Sequence, residues 1–160
     1  MSAPSAGGEA HNLRGAIDRP ALTTIRDMFE EMEPLATPAL DDFLNPSTLE
    51  VALDDGLDAA DTARLDVQWT TRDDYKFHYT DPTGVDLRWG KHPHGGDYHR
   101  VTGIEHYHPP PDASSDPDVV EDSCIEQRPE VLVTRAVIKL WRAAYHAKSY
   151  EPLNAGQNPL

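Results

Sequence analysis

The run Tyr75-Lys76-Phe77-His78-Tyr79-Thr80-Asp81-Pro82-Thr83-Gly84-Val85-Asp86-Leu87-Arg88-Trp89 decides how this chain folds. Before its centre, Tyr75, Phe77 and Tyr79 alternate with Lys76, His78 and Thr80; after it, Val85, Leu87 and Trp89 alternate with Asp86, Arg88 and Gly90. A period of two belongs to a sheet with one buried side. Between the runs, Asp81 suits the first position of a type I turn, Pro82 the second and Gly84 the left-handed fourth. That makes a three-residue hairpin loop closed by a glycine bulge. It sets Asp81 against Val85, Tyr79 against Leu87, His78 against Arg88 and Phe77 against Trp89. A loop one residue shorter or longer would oppose Phe77 and Arg88, mixing the two faces, and the alternation rejects it.

Working outward, Leu65, Val67 and Trp69 alternate with Asp66, Gln68 and Thr70, and Leu49, Val51 and Leu53 make a shorter strand. Ile104 to His108 reads as another, ended by Pro109-Pro110-Pro111. Pro20 opens a helix over 20–33 with Leu22, Ile25, Phe29 and Met32 on one face, stopped by Pro34 and Pro38. Pro129 and Glu130 open a second over 129–147, with Val133, Val137, Leu140, Trp141 and Ala144 on one face. Residues 34–48 read as loop with a helical turn around Leu40–Leu44, 54–62 as a mobile acidic connector, 90–103 as loop and 112–128 as a polar connector. The expectation is a two-layer α+β fold. An antiparallel β-sheet of four to five strands carries the N-terminal and C-terminal helices on one face. One domain spans 19–148, between flexible segments at 1–18 and 149–160.

Lys and Arg total 14 against 28 Asp and Glu, and four of the 14 are lysine. An acidic surface preferring Arg to Lys suits a salt-saturated cytoplasm, where screening lengths shrink to a few ångströms, and implies a halophilic source. No stretch approaches the ~20 apolar residues of a membrane helix. Met1 to His11 lacks the basic start and apolar run of a secretory signal, so the expected place is the cytoplasm. Cys124 is the single cysteine, which rules out an intramolecular disulfide and a CxxC site. Between Arg72 and His108, five cations face six carboxylates, leaving nine of the 14 cations and 22 of the 28 carboxylates elsewhere. That near-neutral window also holds six of the eight histidines.

The residues fit for chemistry in this window are His78, Arg88, Lys91, His92, His94, His99, Arg100, His106 and His108. Imidazole ionises nearest neutrality and suits proton transfer; a guanidinium or ammonium beside it holds a phosphate and stabilises developing charge. Histidine with arginine, without a serine or cysteine nucleophile, is a kit for metal-independent RNA cleavage. Other readings compete. His106-x-His108 and His92-x-His94 point pairs of rings the same way along a strand, as metal ligands do, with Asp97 and Glu105 as further carboxylates. The histidines can also be plain polar surface, or part of a non-catalytic protein-binding face. Trp69, Tyr75, Phe77, Tyr79 and Trp89 could form a base-stacking platform, but their inward alternation favours core. There is no phosphate-cradling glycine loop, no GxSxG and no basic helix-turn-helix. Neither a cofactor nor a resident metal is called for.

Leu65-Asp-Val-Gln-Trp69, Tyr75-Lys-Phe-His-Tyr79, Arg88-Trp89 followed by His92-Pro93, and His106-Tyr-His108-Pro-Pro110 together resemble the TumE-like toxins of toxin–antitoxin systems, especially their haloarchaeal members. The resemblance covers roughly residues 64–111, with weaker agreement in the terminal helix. It implies a toxin encoded beside a cognate antitoxin of DNA-binding helix-turn-helix type, acting on RNA as an endoribonuclease. By position it points to His78, Arg88, His92, His106 and His108 as catalytic, with Lys91 and Arg100 left to bind substrate. One departure stands out: the family places Asp after Arg-Trp, where this chain has Gly90.

Overall fold

A computed structural model describes residues 13–126 and 129–156. Seven strands form one antiparallel sheet whose spatial order is the chain order, a simple meander. They are β1 (Ala36–Leu40), β2 (Leu49–Leu53), β3 (Ala63–Trp69), β4 (Tyr75–Thr80), β5 (Asp86–Lys91), β6 (Glu105–His108) and β7 (Glu121–Asp122). The alternating apolar residues share one face: Leu49, Val51 and Leu53, then Leu65, Val67 and Trp69, then Tyr75, Phe77 and Tyr79, then Leu87, Trp89 and Tyr107, all buried. Burying each such side chain contributes about 1.5–3 kcal/mol, and a slip of one residue would turn the whole set to water.

The same cluster takes in two helices, α1 (Arg19–Met32) and α2 (Glu130–Ala147). Helix α1 starts where the Asp18 carboxylate accepts the Ala21 N–H at 3.1 Å and buries Ala21, Leu22, Ile25 and Phe29. Helix α2 buries Val133, Val137, Leu140, Trp141 and Ala144, and ends on Lys148 in the left-handed conformation. None of the described helices is long and apolar enough to cross a membrane.

The central hairpin has the register read from its turn: Tyr79 pairs with Leu87, His78 with Arg88 and Phe77 with Trp89. Gly84 takes φ 96°, its N–H donating to Asp81 at 3.0 Å, while Asp81 N–H donates to Val85 at 3.2 Å.

The strand number corrects the expectation of four to five. Strand β1 replaces the expected loop and helical turn at Leu40–Leu44, because Pro38 does not break the chain's extended course there. Strand β1 is a sheet edge, where one side of the backbone is free and a proline is tolerated. Strand β7 has two residues, too few for a period of two to register. The acidic 54–62 connector is anchored rather than mobile: Leu57 and Ala60 are buried, and Leu57 N–H donates to the Tyr79 hydroxyl at 2.9 Å. The described parts of the segments expected to flank the domain, 13–18 and 149–156, are tied to it at several points; residues 1–12 and 157–160 lie outside. Leu13 is buried, Arg14 pairs with the buried Asp74 at 2.9 Å, and Ile17 bridges to Thr70. At the other end a 3-10 turn, Glu151–Asn154, buries Leu153, whose carbonyl accepts Trp89 Nε1–H at 3.0 Å.

Candidate functional site on the polar sheet face

Opposite the core, the register sets side chains in rows. Asp66, His78, Arg88 and His108 face one another across β3 to β6, and Gln68, Lys76, Gly90 and His106 form the next row. Between β2 and β5 this face opens into a cleft of about 230 Å³, whose lining includes Glu50, Arg64, Asp66, Lys76, His78 and Arg88.

The charges in and beside the cleft do not cancel. Arg64 takes both lining carboxylates, Asp66 through Nε at 2.6 Å and Glu50 through Nη2 at 3.4 Å. The neighbouring Asp86 carboxylate meets His78 Nε2. Lys76 and Arg88 are left with no carboxylate at ion-pair distance among the described residues, and Arg88 Nε is buried without a hydrogen-bond partner. Burial lowers the proton affinity of both, and the Arg88 charge lowers that of Lys76 further. A partly buried guanidinium with an unpartnered Nε–H, beside an ammonium, is a site that gains from an anion. On His78, a carboxylate only accepts, so Nε2 carries a hydrogen and Nδ1 is the nitrogen left to face the cleft when the ring is neutral.

The other imidazoles are arranged differently. The Nδ1–H groups of His92, His106 and His108 donate to the carbonyls of Pro93, Ile104 and Ser114 at 3.0, 2.9 and 2.9 Å. His94 Nε2–H donates to the Gly103 carbonyl at 2.8 Å. A carbonyl only accepts, so each bond fixes the tautomer. The rings pack together, His106 lying 4.6 Å from His92 and 5.1 Å from His108 between centroids. His106 and His108 are fully buried. Burial, then the His92 charge, pushes His106 down to about 3; burial, then Arg88, pushes His108 down to about 4. His92 is lowered as well, again chiefly by burial. These rings are therefore neutral at pH 7. His108 Nε2 accepts Arg88 Nη2–H at 3.2 Å, whereas His106 Nε2 has no partner and lies over Gly90, where a Cβ would stand 3.3 Å away. Among the described residues no group of three or more His, Cys, Asp or Glu side chains is placed to hold a metal ion.

Of the residues singled out from sequence, His78 and Arg88 meet in the cleft, and His108 joins them through its hydrogen bond to Arg88. His92 and His106 lie buried beside them. Lys91 does not join: it follows the parity of Leu87 and Trp89, opposes Tyr75 and is buried. Arg100 and His99 turn outward, Arg100 donating to the Asp118 carbonyl at 2.9 Å and His99 meeting the Asp118 carboxylate at 2.9 Å. Trp69, Tyr75, Phe77, Tyr79 and Trp89 are core, as their inward alternation indicates. Sequence reasoning passed over Lys76 and Asp86, although each is an even number of residues from His78 or Arg88 and so shares their face.

A family model described as toxin TumE matches residues 23–141, from α1 through the sheet and into α2. The chain belongs to the TumE toxin family. This TumE protein is accordingly the toxin component of a toxin–antitoxin system, with a cognate antitoxin as its partner. The matched span includes every residue of the cleft and of the imidazole cluster. No curated protein and no solved structure matches this TumE chain.

Proposed function

We propose that this TumE toxin arrests growth by cleaving RNA in the His78–Arg88 cleft, without a metal ion. The observation that supports it is the pair of cations, Lys76 and Arg88, left without carboxylates in a cleft that also presents a carboxylate-backed histidine. In this reading Arg88 and Lys76 hold a backbone phosphate. His78 Nδ1 takes the proton of the ribose 2′-hydroxyl while Asp86 steadies the imidazolium that forms. The 2′-oxygen bonds to phosphorus and the bond to the 5′-oxygen breaks. The leaving oxygen takes a proton from the Lys76 ammonium, already loosened by burial and by Arg88. The products are a 2′,3′-cyclic phosphate and a free 5′-hydroxyl.

The roles expected of His106 and His108 as acid or base change here. Both are buried and hold a second proton only weakly, so neither is an imidazolium acid or a strong base at pH 7, and His108 instead orients Arg88. His92 belongs with them. The antitoxin, in the same proposal, is a DNA-binding helix-turn-helix protein, and the acidic surface suits a salt-rich cytoplasm. A second reading, binding without catalysis, draws on Phe43 and Leu44. They are 68% and 80% exposed at the tip of a β1–β2 loop that the Asp41 and Asp42 carboxylates staple.

Induced expression with direct inspection of cellular RNA separates the two. The parent is expected to fragment RNA into pieces with cyclic-phosphate ends, and His78→Ala and Arg88→Ala to leave it intact at equal levels of folded protein. Variants as toxic as the parent, or growth arrest with intact RNA, would overturn the proposal.

A further inference from the structure

The loop between β5 and β6 is built tightly around one side chain. Gly95 and Gly96, at φ 64° and 79°, bend it. His94 Nε2–H donates to the Gly103 carbonyl and Val101 N–H to the Tyr98 carbonyl at 3.0 Å, while His99 and Arg100 anchor its outer side to Asp118. The result seats the Tyr98 ring on the imidazole cluster, 5.3 Å from His94, 5.6 Å from His106 and 5.7 Å from His108, the last nearly edge-on at 87°. His108 is itself hydrogen-bonded to Arg88. Tyr98 is therefore one ring removed from the guanidinium of the cleft, and a negative charge on its oxygen would favour the charged form of Arg88. The ring is half-buried, and its hydroxyl, from which no described residue accepts a hydrogen bond, stays open to solvent and so to a ligand.

Packing alone explains the ring but not the hydroxyl, since phenylalanine fills the same space on the same imidazoles. We propose that the Tyr98 hydroxyl is the third donor of the anion site, directed at an oxygen of the phosphate that Arg88 and Lys76 bind. This rests on the reading of the cleft as a phosphate site. A guanidinium fork serves two oxygens and leaves others for the ammonium and the phenol. A phenolic O–H adds a donor without adding charge, so it does not increase the repulsion between Lys76 and Arg88.

The test is titration of the purified full chain with inorganic phosphate and with 3′-uridine monophosphate, followed by calorimetry and NMR. Tyr98→Phe, which keeps the ring, is expected to bind both about tenfold more weakly with an unchanged melting temperature, the loss of one hydrogen bond to a charged group. In the parent, the Tyr98 ring resonances should move with the Arg88 Nε–H resonance as phosphate is added. Binding by Tyr98→Phe equal to the parent, or a Tyr98 signal that stays still while Arg88 shifts, overturns the inference and leaves the cleft reading intact. A parent that binds neither probe overturns the cleft reading and the inference with it.

Discussion

His78 and His106 stand on the polar face of one sheet, on β4 and β6, with β5 alone between them, and the two have opposite chemistry. His78 is half-exposed, opposes Arg88 and presents one nitrogen to a carboxylate. His106 is wholly buried, gives its Nδ1–H to a backbone carbonyl and is held neutral by desolvation. The difference lies in what covers each ring. The β5–β6 loop folds back over β6 and closes water out, whereas among the described residues no loop covers the polar side of β4 in this way. A cluster of histidines in sequence is thus two populations in space, one half-exposed beside Arg88 and a carboxylate, and one serving as packing and as a rest for Arg88 and Tyr98.

Removing one ring from each population should have opposite effects. His78→Ala is expected to lower RNA cleavage by about a hundredfold or more, the usual contribution of a general base, with little change in melting temperature. His106→Ala should do the reverse, destabilising by about 2 kcal/mol or more through the cavity it leaves while toxicity persists at permissive temperature. Loss of cleavage without loss of stability in His106→Ala would erase the distinction.

Acid sharpens the same contrast. His106 and His108 have folded-state values of about 3 and about 4, below the ordinary 6.5. Between pH 6.5 and those values the unfolded chain binds more protons than the folded one, so their neutral burial stabilises fully above 6.5 and progressively less as pH falls. Urea midpoints taken from pH 7.5 down to 4.5 should drop more steeply in the parent than in a His106→Gln, His108→Gln double variant. Equal slopes would show that carboxylates alone set the acid sensitivity.

Gly90→Asp asks whether a buried ring can be moved into the reactive population. The new carboxylate would stand beside the unpartnered His106 Nε2, in a contact tight enough that the ring must yield slightly. The His106 titration, followed by NMR, should move upward from about 3, because an adjacent negative charge favours the imidazolium. An unmoved titration would mean that the carboxylate turns away from the ring. The smallest effect is expected at the turn that aligns the rows. Gly84 sits at φ 96° with open space where a Cβ would go, so Gly84→Ala should lose about 1 kcal/mol in chemical denaturation from backbone strain alone. A loss of several kcal/mol there would mean that the hairpin register had shifted.

The hairpin was legible because turn chemistry and alternation agree, and a wrong register would have mixed Phe77 with Arg88. Strand β1 was not, since Pro38 carries the same letter at a sheet edge as at a helix end and only its neighbours tell the two apart. In the site, His78 and Arg88 were legible from register. Lys91 stands near them along the chain, but parity sends it to the core face, whereas the same parity puts Lys76 and Asp86 on the polar face. Tyr98 left no signal in sequence, because its position depends on how the loop carrying it folds over β6.

By itself the sequence determined the α+β class, both helices, the central strands and the pairing of His78 with Arg88, because each follows from interactions within a turn or between adjacent strands. The tertiary structure alone decided which histidines are buried, which cations lack a carboxylate and which side of the sheet is closed. Burial and ion pairing are set by segments far apart in the chain: the 92–103 loop over β6, Arg64 turned toward Glu50 and Asp66, Ser114 beneath His108. The local pattern of letters carries no record of those approaches.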